Sequence, residues 1–321
     1  MNDDGAQHAS SVSPPGGRAR AWLELVRISN LPTVWSNALL GVAIAWSLRQ
    51  EPGPEPGSGT AQGVAFLLAA GVGSMVYAAG MAMNDLFDAR IDARERPGRP
   101  IPSGRITRRG AAILVAFLLA GAMGLSFAAG LGVVVLCALL IACVFAYNLL
   151  HKRHPAAAVL MGLCRLLVVA IGAFAVGPVA GISGAILAPG VTLAAYIAAL
   201  TLLARREVGT PARARTRAML AWLCVVIPIL GGLGFAISRG LDPLSPAALA
   251  ASAVMALWLG RSARLATADR PAMIRPILGL LGGICLIDAW FLALLGETAL
   301  AGMALGFFGL TLLAHRRILG T

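Results

Sequence analysis

The chain has 321 residues, of which 58% are hydrophobic and only 12% are charged. The charged share is about half that of a soluble domain, which excludes an ordinary soluble globular protein, and the apolar content excludes a disordered chain. The net charge of +12 would by itself fit nucleic-acid binding. In so apolar a chain it instead indicates basic loops at the cytoplasmic face of a membrane, and we expect no nucleic-acid partner.

Residues 1–20 are polar and rich in glycine, proline and serine, which predicts a disordered cytoplasmic tail ahead of a transmembrane domain at 21–321. A membrane-spanning helix needs about 20 mostly apolar residues. Ten stretches qualify, the weakest being 246–260, and their length and lack of alternation disfavour a β-barrel. We predict an all-α polytopic membrane protein with nine or ten transmembrane helices. The stretches are 31–48, 63–84, 110–128, 131–149, 156–176, 184–203, 218–238, 246–260, 277–295 and 298–314.

The basic residues predict the orientation of these helices. With the N-terminus inside, 23 of the 26 lysine and arginine residues fall in cytoplasmic segments, and only Arg49 and Arg239 fall outside. Ten spans would also place Arg316 and Arg317 inside, whereas nine would not. We expect an integral protein of a bacterial inner (plasma) membrane, surrounded by membrane lipid.

Acidic residues are scarce, and four of the fourteen lie between Asp85 and Glu95. Asp85, Asp88 and Asp92 are spaced so that a continuous helix would carry them on one face at its cytoplasmic end. Mg²⁺ would relieve their mutual repulsion and could join them to substrate phosphates, with the arginines that follow pairing with phosphate oxygens. The alternative is a solvated, salt-bridged helix end. Asp85 lies at the membrane boundary, where ionisable residues are costly and usually functional.

The segment Asn84-Asp85-x-x-Asp88-x-x-x-Asp92, followed by Arg99-Pro-Ile-Pro-Ser-Gly, resembles the first aspartate-rich motif of the UbiA superfamily of intramembrane prenyltransferases. Residues 27–37 resemble the entry to the family's first helix, and residues 147–153 the end of its fourth. The resemblance implies about nine helices around a central cavity. In that cavity, Mg²⁺ holds a prenyl diphosphate, and a hydrophobic acceptor, often aromatic, is alkylated.

The sequence departs from the family where a second aspartate-rich motif is expected. Residues 200–210 contain no aspartate, and Glu207 is the only acid between Glu95 and Asp242. Arg205 and Arg206 could neutralise the diphosphate directly, with Glu207 as a lone metal ligand. Alternatively, the protein is a non-catalytic relative that binds or transports a lipid-like or aromatic metabolite. This departure and residues 161–165 resemble the EboC-like branch of the superfamily.

Arg165 lies well inside a span, where an arginine costs roughly 2.5–3.5 kcal/mol to insert, so it should face the bundle interior. It could contact substrate or pair with an acid such as Asp288. Tyr147 and Lys152 could line the cavity or serve as interface anchors, and His151 and His154 are assigned to a loop without a role. The predicted catalytic residues are Asp85, Asp88 and Asp92, which with Glu207 are also the predicted Mg²⁺ ligands. The predicted substrate-binding residues are Asn30, Asn84, Arg94, Arg99, Tyr147, Lys152, Arg165, Arg205 and Arg206.

Overall fold

A computed structural model describes residues 17–49, 58–177, 184–205, 211–267 and 274–317. Most of the predicted tail therefore lies outside the described residues. Within the described part, the regular structure is entirely helical, which confirms the predicted fold class. The helices are α1 (Arg18–Leu25), α2 (Leu31–Ser47), α3 (Ser58–Glu95), α4 (Arg108–Ala129), α5 (Leu131–Leu150), α6 (Ala157–Ala175), α7 (Gly184–Ala204), α8 (Pro211–Arg239), α9 (Pro246–Thr267), α10 (Ile274–Leu294) and α11 (Thr298–Arg317).

Nine of the helices in the described ranges are long and apolar enough to cross a bilayer, which makes the chain an integral membrane protein. The exception among the long helices is α9, whose C-terminal turns carry Arg261 and Arg264. His315 at the end of α11 lies 2.7 Å from the side-chain oxygen of Asn30, next to the start of α2. The end of α11 therefore lies beside the start of α2.

Glycines allow the helices of the bundle centre to approach closely. A Cβ atom on Gly172 of α6 would overlap the carbonyl oxygen of Ala38 on α2, and one on Gly41 of α2 would overlap that of Val169 on α6. Because lipid removes most of the hydrophobic drive for helix association, such small-residue contacts stabilise membrane bundles. They fix α2 against α6 at the centre of the protein.

The lipid-facing and core-facing helices separate clearly. Large apolar side chains on the outer helices are exposed: Phe117 on α4 by 72%, Leu131 on α5 by 77% and Ile237 on α8 by 80%. In contrast, α2 and α10 are buried along most of their length. A cavity of about 580 Å³ lies between the helices, where α3 and α7 end. The predicted bundle around a central cavity is thereby confirmed.

Candidate functional site

The acidic segment is helical throughout, because α3 runs unbroken to Glu95. Tyr77, Met81, Asn84 and Asp88 follow one another at intervals of four, three and four residues, so they share one helix face. All four line the central cavity. The side chains of Asp85, Asp88 and Asp92 are buried, as expected for groups facing the bundle. The helix thus continues eleven residues beyond the apolar span predicted at 63–84, and it carries the aspartates on one face as their spacing predicts.

The turn after α3 is built to return Arg99 to the acids. Ile101 and Ile106 are buried in a small apolar cluster with Leu25 of α1. Gly104 adopts a left-handed conformation (φ 74°), which glycine accepts without steric cost. The Ser103 hydroxyl donates to the Arg99 carbonyl at 2.7 Å. The turn formed by residues 99–106 thus holds the Arg99 side chain against α3.

Arg99 bridges two of the three carboxylates. Its Nη1 atom lies 3.2 Å from Asp85 Oδ1 and 2.7 Å from Asp92 Oδ2. Arg27 approaches Asp85 from the other side at 3.5 Å. Arg27 has φ 46°, a left-handed conformation that is rare for a residue with a side chain and is often found at functional sites. Asp85 therefore faces two guanidinium groups.

Asp88 is paired with the loop that follows α5. Lys152 Nζ lies 2.5 Å from Asp88 Oδ1, and His151 Nε2 lies 3.6 Å from Asp88 Oδ2. Asn84 donates to Asn148 Oδ1 at 3.2 Å, which fixes the amide next to the acids. Lys152 is the only lysine of the chain. Because it pairs with Asp88, it belongs to the acidic cluster and does not act solely as an anchor at the membrane interface.

Arg205, the residue after α7, closes the cavity opposite α3. Its guanidinium donates to the carbonyl of His154 at 3.2 Å and to the carbonyl of His151. The side chain lines the cavity, on the part of the chain where a second acidic motif was expected. The predicted ligands Arg206 and Glu207 lie outside the described residues.

Arg165 on α6 lines the cavity at a deeper level and is held by α2. It donates to Asn37 Oδ1 at 3.0 Å and to Thr33 Oγ1 at 3.1 Å. The Asn37 amide in turn donates to Asp288 Oδ2 on α10 at 2.7 Å. Arg165 thus has features of both predicted roles. It faces the cavity, where it could contact a substrate, and it is linked to Asp288 through Asn37.

Arg94 is a predicted substrate-binding residue that lies away from the cavity. It is exposed and does not line the cavity, because it lies two positions after Asp92 and so points away from the acidic face. Sequence reasoning overlooked three residues that do line it, namely Arg27, Tyr77 and His151. Tyr77 could have been found from its seven-residue spacing to Asn84.

Asp85, Asp88 and Asp92 carry the kind of oxygen ligand that could hold a magnesium ion. Mg²⁺ takes hard oxygen ligands and usually combines one or two carboxylates with phosphates. Asp88 supplies such an oxygen at the cavity wall. Over the described ranges, no three histidine, cysteine or acidic side chains form a group that could hold a metal by themselves.

An apolar pocket of about 60 Å³ continues from the polar cavity into the bundle. The two spaces share five lining residues: Tyr77, Met81, Tyr147, Met161 and Arg165. Beyond these, most of the pocket wall consists of valine, leucine and glycine side chains from α2, α3, α5 and α6. A cavity with charged walls thus adjoins a small space lined mainly by apolar side chains.

Buried acids, basic side chains and an apolar pocket thus lie side by side inside the bundle, and comparison with known proteins gives the family of the chain. The UbiA prenyltransferase family matches residues 34–284. The chain therefore belongs to the UbiA prenyltransferase family. A UbiA homologue from Aeropyrum pernix shares the fold, with a TM-score of 0.61 and 20% identity over 83% of this chain and 96% of that one. A UbiA homologue from Archaeoglobus fulgidus bound to GPP and Mg²⁺ aligns with a TM-score of 0.51 and 14% identity, over 86% of this chain and 99% of that one.

Curated relatives match over a shorter region. The digeranylgeranylglyceryl phosphate synthase of Methanopyrus kandleri is 41% identical over 92 residues, which is 29% of each chain. That of Natronomonas pharaonis is 30% identical over 138 residues, 43% of this chain and 46% of that protein. The match thus spans less than half the length of these relatives, and it supports an intramembrane prenyltransferase without defining the acceptor.

Proposed function

We propose that the protein is an Mg²⁺-dependent intramembrane prenyltransferase, which transfers a prenyl group from a prenyl diphosphate to a hydrophobic acceptor, either aromatic or lipid-like. The observation that carries the proposal is the union of an apolar pocket with a cavity that buried acids and several basic side chains surround. Relatives named as synthases of a prenylated glyceryl phosphate, and a homologue bound to GPP and Mg²⁺, support it.

The charged residues would bind the donor headgroup. Asp88, with Asp85 and Asp92, would hold Mg²⁺ together with diphosphate oxygens, and the bound ion would withdraw charge from the leaving group. Arg99 already fixes the positions of Asp85 and Asp92, and Asn148 orients Asn84 beside them. This preorganisation means that the site needs little rearrangement when charge develops on the diphosphate.

The apolar pocket would receive the reacting end of the prenyl chain. The C1–O bond breaks, and its electron pair leaves with the diphosphate. An electron pair of the acceptor then forms the new bond to C1, and the acceptor loses a proton. Tyr77 and Tyr147 line the junction of cavity and pocket, where aromatic faces stabilise a developing cation. The apolar wall excludes water, which would otherwise capture that carbon.

The membrane side of the site is part of the proposal. Twenty-three of the 26 basic residues fall in segments assigned to one face, and the acids lie at that face, which we take to be cytoplasmic. The relatives described above come from archaea, so a bacterial inner membrane stays a prediction from the sequence.

A second candidate function is a non-catalytic relative that binds or carries a lipid-like metabolite. It is favoured by the incomplete metal shell, because the described residues include no three-membered metal-ligand group. The same cavity and apolar pocket would then hold an amphiphile without cleaving it.

One experiment separates the two candidates. The full chain, purified in detergent, is incubated with Mg²⁺ and allylic diphosphates of several lengths, and diphosphate release is measured with and without aromatic and lipid acceptors. We expect release by the wild type and a loss on the order of a hundredfold in Asp88→Asn. Arg90→Gln is the matched control, since Arg90 lies on the same helix but is exposed. Binding of the diphosphates without release would favour the second candidate.

A further inference from the structure

The cavity wall is richer in cations than a metal-only mechanism requires. Arg27, Arg96, Arg99, Arg165 and Arg205 all line it, and the lining acid within the described ranges is Asp88. Lys152 adds a sixth basic group through its contact with Asp88. A site that depended on metal alone to bind an anion would need few of these side chains.

The local acids do not cancel this charge. Asp85, Asp88 and Asp92 contact Arg99, Arg27 and Lys152, and Asp288 is linked to Arg165 through Asn37. Among the residues that the structure describes here, six basic against four acidic side chains leave an excess of two positive charges. The two phosphate groups of a prenyl diphosphate carry about −2 to −3 charges near neutral pH. The excess therefore approximately matches the headgroup.

Arg205 has the position from which a second acidic motif would act. It follows α7 directly, and two backbone carbonyls of the loop after α5 hold its guanidinium at the cavity wall. The neighbouring carbonyl contacts restrict its rotamers, so little side-chain entropy is lost when it pairs with phosphate. Arginine and metal ions are alternative ways of stabilising phosphoryl charge.

We propose that the arginines of this wall, Arg205 foremost, bind the donor diphosphate directly in place of the metal that a second acidic motif would hold. Donor binding is then independent of Mg²⁺, whereas cleavage of the C1–O bond still requires the ion on the first motif. This inference rests on the proposed function, since it concerns the same donor at the same site.

The test measures binding, separately from turnover. Geranyl S-thiolodiphosphate, a donor analogue that resists ionisation, is titrated calorimetrically into the full chain in detergent, once with Mg²⁺ and once with EDTA. We expect the two Kd values to agree within about tenfold. Arg205→Gln should weaken binding by about ten- to a hundredfold in both buffers, as expected for the loss of hydrogen bonds to a charged group. Arg90→Gln, which changes an exposed arginine, should bind like the wild type.

Two further measurements identify what is bound. Inorganic diphosphate should displace the analogue in EDTA, whereas geraniol should not, if the headgroup carries the affinity. Arg205→Lys keeps the charge but lacks the planar donor pair, so its Kd should lie between those of the wild type and Arg205→Gln. Thermal unfolding of each variant excludes misfolding as the cause.

The outcomes are distinct. Complete loss of binding in EDTA, or an Arg205→Gln variant that binds like Arg90→Gln, would overturn the direct arginine role and leave the prenyltransferase proposal standing. Failure of the wild type to bind the analogue in either buffer would overturn both.

Discussion

The chain of hydrogen bonds from Arg165 to Asp288 gives a prediction about stability. Asp288 is fully buried, and Arg165 is only 7% exposed. Asp288→Leu removes the acceptor of the Asn37 amide and leaves the Arg165 charge without its nearest linked acid. Removing one partner of a buried charged pair costs about 3–5 kcal/mol. At about 2–4 °C per kcal/mol for a large domain, the melting temperature should fall by roughly 6–20 °C.

The assay is thermal unfolding in one detergent, applied to a double-mutant cycle. Arg165→Met removes the cation, so the pair Arg165→Met with Asp288→Leu should be more stable than the sum of the single losses predicts, by about 2 kcal/mol or more. Asp288→Asn, which keeps a carbonyl oxygen for Asn37, should lose less than Asp288→Leu. Strictly additive losses in the cycle would refute the idea that these two residues compensate each other across three helices.

Two further predictions test the packing of the bundle. Gly172→Ala should lower the melting temperature by the equivalent of about 1–3 kcal/mol, because its Cβ would overlap the Ala38 carbonyl. Gly302→Ala is the control, since the space around its Cβ is open, and it should be neutral or stabilising. If Gly302→Ala were the more destabilising of the two, the close contact at Gly172 would be contradicted. His315→Leu should cost about 1–3 kcal/mol because it removes the 2.7 Å hydrogen bond to Asn30. If His315→Leu melted at the same temperature as the wild type, the contact between His315 and Asn30 would not stabilise the fold.

The helices were predictable because an apolar run of sufficient length has few alternatives in lipid. The apolar span predicted at 63–84 ends before α3 does, for a physical reason. Hydropathy stops at Asn84, but the alanines, arginines and glutamate that follow are good helix formers, so the helix continues to Glu95. A criterion based on apolar content detects the membrane boundary and not the end of the helix.

The site was predictable only in part. The acids were found because ionisable residues are rare in this chain, so a cluster of them is conspicuous. Arg27 and His151 were not found as their partners, since they lie 58 and 63 positions from Asp85 and Asp88 in the sequence. They meet α3 through contacts that only the folded bundle creates. Arg94 shows the converse, because proximity in sequence to Asp92 did not bring it to the cavity.

The length of α3 has a consequence for how the donor reaches its site. Its 38 residues extend about 57 Å, nearly twice the thickness of a hydrocarbon layer of about 30 Å. The turns that carry Asp85 to Asp92 can therefore stand at the level of the lipid headgroups while Tyr77 remains below them. Because each methylene drawn into water costs about 0.8 kcal/mol, a long-tailed donor is best kept in its leaflet. In this geometry it would reach the acids by lateral diffusion, without its tail leaving the bilayer.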